Sequence, residues 1–94
     1  MHMYLVCCGL NGRAVLVGES ETEPVAGQPI ALANARMILY WADECGGLLG
    51  LAAKGPRGRT RITAAVAKHG DEHVCQWVEV SETARMEIDK WPAC

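Results

Sequence analysis

Basic side chains that are able to bind an anion are concentrated in one short segment of the chain. Lys54, Arg57, Arg59 and Arg61 supply four of the nine Lys and Arg residues. Arginine presents a planar fork of N–H donors that fits phosphate and carboxylate groups. The segment therefore predicts either an anion contact or a solvated loop whose charge is balanced by the acidic residues 19–23. It lacks the GxxxxGK[ST] pattern of a phosphate-binding loop.

Two adjacent aromatic residues, Tyr40 and Trp41, form a second candidate surface. Aromatic side chains anchor protein interfaces and stack on nucleobases, so either ring is a candidate contact for a partner. For Trp41 we favour a position in the hydrophobic core. For Tyr40 a surface contact and half-buried packing are favoured about equally. Arg36, four positions before Tyr40, completes the set of candidate binding residues.

His69, His73 and Cys75 have the spacing H-x3-H-x-C, which raises the question of a metal site. On a strand, His73 and Cys75 face the same way and are able to converge on one ion. Structural zinc normally needs four ligands, and no CxxC pair supplies the rest, although a fourth ligand from another cysteine stays open. We predict no metal and favour His69 and His73 as turn and strand-start residues.

Cys75 and His73 also provide the only basis for a catalytic prediction. A Cys–His pair needs a thiolate next to an imidazole and donors for an oxyanion. Five cysteines make chance pairs with histidine easy, and the sequence contains no G-x-S-x-G or HExxH motif. We therefore predict a protein that is not an enzyme and that uses no cofactor, and we keep a Cys/His enzyme as the least favoured alternative.

The composition of the 94 residues predicts one domain, residues 1–94, in the cytoplasm. A net charge of −2 argues against general nucleic-acid binding. No apolar run approaches the ~20 residues that cross a bilayer, so no membrane association is expected. The five cysteines form an odd number without a secretory pattern at the N-terminus, which favours a reducing compartment over a disulfide framework.

Two apolar runs at the start of the chain predict a β-hairpin. Residues 3–10 are continuously apolar, as in a strand buried on both faces, and residues 13–18 form the returning strand. Asn11 and Gly12 suit the type I′ turn between them, whose central residues need positive φ. Residues 19–28 are polar and predict a solvated loop.

Residues 29–41 predict two further strands. The first covers residues 29–33, a bend follows at Asn34 and Ala35, and the second covers residues 36–41. Strand alternation then assigns one face to Met37, Leu39 and Trp41 and the other to Arg36, Ile38 and Tyr40.

Apolar residues at helical spacing predict a short helix over residues 48–54, ended by Gly55 and Pro56. Residues 57–63 become β-like, while residues 64–69 are ambiguous between a strand and a helical turn.

The last quarter of the chain predicts a strand followed by a helix. Residues 73–80 alternate as a strand, with Val74, Val78 and Val80 on one face and Cys75 and Trp77 on the other. Ser81 is a suitable N-cap for a final helix whose apolar stripe consists of Ala84, Ile88 and Trp91. The expected fold is α+β: a small, curved, mostly antiparallel sheet of about five to six strands with two short helices.

The central run resembles a family of small uncharacterised proteins of tailed phages and prophages. That family has an Asn-Ala-Arg segment, a Tyr-Trp pair and an LxxLA-type helix followed by Gly. The residues that carry the resemblance are Asn34, Ala35, Arg36, Tyr40, Trp41, Leu49, Leu51, Ala52 and Gly55. This chain departs from the pattern at Met37 and at the doubled Gly46-Gly47.

The resemblance implies an origin in phages rather than a mechanism, since the family is a domain of unknown function. Small phage proteins without enzyme motifs often act by binding, so the expected role is a host-defence antagonist, either an anti-CRISPR-type inhibitor or a nucleotide-signal sponge. The expected partner is a host defence protein or a phosphate-bearing small molecule in the host cytoplasm, and self-association of the chain is also expected. The alternative is a virion or assembly component.

Overall fold

The computed structural model describes residues 1–9 and 13–94 of the chain. Strands β1 (His2–Cys8) and β2 (Ala14–Ser20) pair antiparallel along their whole length, from His2 opposite Ser20 to Cys8 opposite Ala14. The predicted hairpin strands are therefore confirmed. The predicted Asn11–Gly12 turn lies outside the described residues.

The third strand, β3 (Ile30–Tyr40), is one continuous element rather than two strands separated by a bend. Asn34 has a φ of 50°, and two residues of β3 oppose Gly18 alone, so the expected bend is a β-bulge inside the strand. A side chain at Gly18 has no room, because a Cβ there would lie 2.8 Å from the Cβ of Leu32. The prediction of two strands was wrong because a bulge lets the chain bend without leaving the sheet.

Three more strands complete the sheet: β4 (Arg61–Ile62), β5 (Val66–Asp71) and β6 (Val74–Glu79). The order is β4-β3-β2-β1-β6, and β5 pairs with the first half of β3. All of these pairings are antiparallel. The residues that were ambiguous in the sequence thus contribute to strand β5. Main-chain hydrogen bonds of Val74 with Gly27 and Gln28 join the start of β6 to the loop that precedes β3.

Two helices cover one face of this sheet. Helix α1 (Gly47–Lys54) follows a 3-10 turn at Asp43–Cys45, and helix α2 (Glu82–Lys90) ends near the C-terminus. The N-cap prediction at Ser81 is confirmed, because its hydroxyl accepts a hydrogen bond from the N–H of Ala84 at 3.1 Å. The α+β fold class and the mostly antiparallel six-stranded sheet are confirmed as well.

Apolar side chains pack on both faces of the sheet. The cluster under the helices includes Leu5, Ile38, Leu51, Ile62 and Ile88, with half-buried Trp41 and Trp91 packed against it. The cluster on the other face consists of Tyr4, Val6, Cys8, Leu16, Leu32, Ala35 and Val74, with partly buried residues such as Met37 and Trp77 against it.

The predicted faces of β3 and β6 were partly wrong, because bulges shift the alternation. Cys7 lies opposite Gln76 while Cys8 lies opposite Val74, which leaves Cys75 as an extra residue in β6. Val74 therefore packs with Trp77, while Val78 packs against the helix-side cluster.

A second irregularity affects the end of β3. Between Ile38 and Tyr40 the register with β4 shifts, so Leu39 is the extra residue. Trp41 consequently packs against the same cluster as Ile38, and not on the opposite face as the plain alternation predicted.

Candidate functional site

The candidate site is built on the segment that leaves α1 and enters β4. Lys54 is the last residue of α1, and Gly55 follows with a φ of 99°. A Cβ at Gly55 would lie 2.7 Å from the Cβ of Glu87, so only glycine lets this segment pack closely against α2. Pro56 is buried directly after it. Packing therefore holds the start of the basic segment.

Thr60 holds the turn that carries Arg57 and Arg59. Its hydroxyl donates to the carbonyl oxygen of Arg57 at 2.6 Å and accepts from the N–H of Ala42 at 3.2 Å. Its own carbonyl oxygen accepts from Nε1 of Trp91 at 2.9 Å. These bonds link the turn to Ala42, which follows β3, and to Trp91 at the end of α2. Thr60 itself is buried, which strengthens such a network.

The basic surface, which we define as Tyr40, Lys54, Arg57, Arg59 and Arg61, faces solvent. All five residues are exposed. Within residues 1–9 and 13–94, none of the four cationic side chains makes an ion pair or a side-chain hydrogen bond. These cations are therefore available to an external anionic group.

Glu19, the first residue of the acidic stretch, pairs with groups outside the basic segment. Glu19 lies at the end of β2, where its carboxylate accepts from Arg85 Nη2 at 2.6 Å and from Asn34 Nδ2 at 2.7 Å. The hydrogen bond from Asn34, followed by Arg85, lowers the pKa of Glu19 below its usual 4.5, against the opposing effect of burial. The Glu19 carboxylate is therefore bound within the fold, while the choice between an anion contact and a solvated basic loop stays a prediction.

The structure brings Tyr40 and Arg61 together as cross-strand neighbours on β3 and β4. Both residues are exposed, Tyr40 with 49% of its surface, so an aromatic and a cationic residue occupy paired positions at the surface. Trp41 is placed elsewhere: it is half-buried and lines a groove beside α1. The two aromatic residues that are adjacent in sequence therefore belong to different surfaces.

Arg36 lies in the interior, with 8% of its surface exposed. Its guanidinium donates to three main-chain carbonyl oxygens: Thr63 at 2.6 Å, Ile88 at 2.6 Å and Trp91 at 2.9 Å. Burial of the guanidinium lowers the pKa of Arg36 below its usual range. Arg36 thus caps the end of α2 and ties it to the sheet. These partners are 27, 52 and 55 residues away, so no local sequence signal identifies this role.

Five cavities in the described part of the chain lie away from the basic surface. Five cavities have volumes between about 290 and 490 Å³, and none is lined by a member of the basic surface. The exposed cations therefore line none of these five cavities.

The structure places His69 inside β5, rather than in the predicted turn, His73 between β5 and β6, and Cys75 in β6. Nε2 of His69 is 4.0 Å from a carboxylate oxygen of Asp71, and the thiol of Cys75 donates to the carbonyl oxygen of Gly9. In the described ranges, no group of three His, Cys, Asp or Glu residues is arranged to hold a metal ion. Burial raises the pKa of Cys8 to about 11, which keeps this thiol protonated at neutral pH.

Comparison with known proteins identifies the family. A family model described as "Domain of unknown function (DUF6948)" matches residues 1–88, so this chain belongs to that family. The prediction of an uncharacterised family is confirmed. Neither the search of curated proteins nor the search of solved structures found a match. Among the described residues, no helix has both the length and the apolar character needed to cross a membrane.

Proposed function

We propose that this member of a family of unknown function acts by non-catalytic binding, with its basic surface contacting an acidic surface of another macromolecule. As part of the same proposal, the chain is a phage or prophage accessory protein, and its partner is a host defence protein in the cytoplasm of the infected bacterium.

The observation that carries this proposal is the set of four exposed cations without ion pairs in the described residues, of which Arg61 is the cross-strand partner of Tyr40. Tyr and Arg are over-represented among the residues that dominate binding energy at interfaces. The chain carries a net charge of −2, so this positive surface is a local exception. Such a surface favours encounter with an acidic partner through electrostatic attraction.

The position of the basic surface outside these five cavities favours a macromolecular partner over a small molecule. Small-ligand sites are concave and enclose most of their ligand. The five described cavities are lined by other residues. An inhibitor of a defence complex, of the anti-CRISPR type, therefore agrees better with this surface than a nucleotide-signal sponge.

Affinity capture from the lysate of a bacterial host, followed by mass spectrometry, tests the proposal. We expect the wild-type chain to capture a defence protein, and the double variant Arg59→Ala/Arg61→Ala to lose it. The matched control is Lys68→Ala/Lys90→Ala, which removes the same two charges from exposed positions outside the basic surface. Equal capture by all three proteins would contradict the proposal.

A thermal-shift panel of cyclic nucleotides and nucleoside triphosphates separates the sponge from the protein inhibitor. We expect no shift of the melting temperature with any of these compounds. A shift that Arg59→Ala abolishes would instead identify a nucleotide-binding protein. Recovery of the chain in purified virions by mass spectrometry would favour the structural alternative.

A further inference from the structure

The outer edge of β6 carries main-chain groups without partners. β6 pairs with β1 alone, and the N–H of Val80 donates to the carbonyl oxygen of Met3. In an antiparallel ladder, hydrogen-bonded and non-hydrogen-bonded pairs alternate, so the N–H and C=O groups of Trp77 and Glu79 point away from β1. Within the described residues, these groups bond to no other part of the chain. The β6 edge is therefore able to accept another strand.

An apolar groove runs along the same edge, between the sheet and α1. One cavity of about 460 Å³ is lined by residues that include Trp41, Leu48, Leu49, Trp77 and Val78. A second, of about 290 Å³, shares Leu49 and Val78 and continues to Ser81. Leu49 stands at the rim with 72% of its surface exposed. The free main-chain edge and the apolar groove thus form one continuous surface.

The charges along β6 permit self-pairing. Glu79 is the only charged residue between positions 74 and 80. Among the described residues, β5 also pairs with one strand only, and this six-residue strand carries Lys68 and Asp71. Charged side chains on an edge strand oppose association, so β6 is the less protected of the two edges.

We propose that a second copy of this chain pairs with β6 in antiparallel orientation, with Val78 of both copies at the two-fold axis. In this register Trp77 lies opposite the partner's Glu79. The outward N–H and C=O groups of each residue then form hydrogen bonds with those of the other. The two Val78 side chains meet beside the groove, and Leu49 of each copy covers the groove of the other.

This register satisfies the requirements of a symmetric interface. Each outward main-chain group of one copy finds its complement in the other, as an isologous contact demands. The two Glu79 carboxylates are not directly opposite each other, which avoids the repulsion of like charges on paired strands. Because the interface is two-fold symmetric, Leu49 and Val78 of both copies are buried in it. The interface lies on β6 and α1 and does not depend on the proposed function.

Sedimentation velocity over a concentration series tests the proposal. We expect a monomer–dimer equilibrium for the wild-type chain with a Kd of about 10 µM or lower. Leu49→Asp is expected to weaken it about 100-fold, since the residue occurs twice in the interface. An acidic residue in the first turn of α1 is favourable, so the fold is retained.

The matched control is Val66→Asp on the β5 edge, where Val66 is 53% exposed. We expect this variant to dimerise as the wild type does. A wild-type chain that stays monomeric, a dimer that Leu49→Asp leaves intact, or equal weakening by both variants would overturn the proposal.

Amide hydrogen exchange tests the register. The N–H groups of Trp77 and Glu79 are expected to become protected as the protein concentration rises. Glu79→Pro removes one outward donor and leaves the pairing with β1 intact, so it is expected to weaken the dimer as well. Fast exchange of both amides in a sample that is fully dimeric would refute pairing through β6.

Discussion

Arg36 and the arginines of the basic surface are the same residue type in opposite environments. Arg36 is buried, and each side of its guanidinium fork meets a main-chain carbonyl oxygen. Arg57, Arg59 and Arg61 are exposed and, in the described ranges, have no ion pair. The first arginine stabilises the fold, whereas the other three contribute little to it and are free for a partner. Sequence composition alone does not distinguish the two groups.

The largest expected effect comes from removing the interior arginine. Arg36→Ala leaves three carbonyl oxygens without their charged donor, and we expect a loss of about 3 kcal/mol in the free energy of unfolding. Arg36→Lys keeps the charge but has no planar fork, so most of the loss remains. Chemical denaturation measures both.

The matched substitution on the basic surface is Arg61→Ala, for which we expect a change within about 0.5 kcal/mol. Equal losses for Arg36→Ala and Arg61→Ala would remove the distinction between the two groups of arginines.

An intermediate effect is expected at Thr60, which links the two regions. Thr60→Val keeps the side-chain volume but removes the hydroxyl that bonds to Arg57 and Ala42, at a cost of about 2 kcal/mol. Since this hydroxyl also holds the turn of the basic surface, capture of the partner should weaken in parallel. Thr60→Ser, which keeps the hydroxyl, is expected to preserve most of both properties; the same loss in Ser and Val variants would show that the hydroxyl is unimportant.

A smaller effect than that of Thr60→Val is expected for Glu19, whose carboxylate bonds to Arg85 and Asn34. Because the pKa of Glu19 is lowered in the folded state, its contribution is present above about pH 4.5 and is lost as the pH falls through the folded-state pKa. Glu19→Gln should cost about 1 kcal/mol at pH 7, and the difference from the wild type should shrink in acid.

Denaturation at a series of pH values measures this dependence on Glu19. Glu21→Gln, in the exposed loop, is the matched control. A difference between wild type and Glu19→Gln that stays constant down to pH 3 would contradict the role of the Glu19 carboxylate.

Much of the fold was predictable from local patterns. The paired strands at the start of the chain, the short helix before Gly55 and the Ser81 cap all follow from periodicity and capping chemistry. The bulges at Asn34 and Cys75 were missed, because a strict two-residue period contains no information about an extra residue.

The candidate site was predictable only in part. The exposed cations form a local cluster in the sequence, so their grouping was visible. The neighbour relation between Tyr40 and Arg61 depends on the pairing of β3 with β4, and the role of Arg36 depends on α2, which follows much later in the chain. Contacts of this range are determined by tertiary packing and have no local pattern.

The most direct test of the central claim compares stability and partner capture in one charge-reversed variant, Arg59→Glu/Arg61→Glu. We predict that this variant unfolds within about 1 kcal/mol of the wild type, since both positions are exposed, and that it captures none of the host protein that the wild type binds. Undiminished capture by a folded Arg59→Glu/Arg61→Glu variant would contradict a binding role for the basic surface.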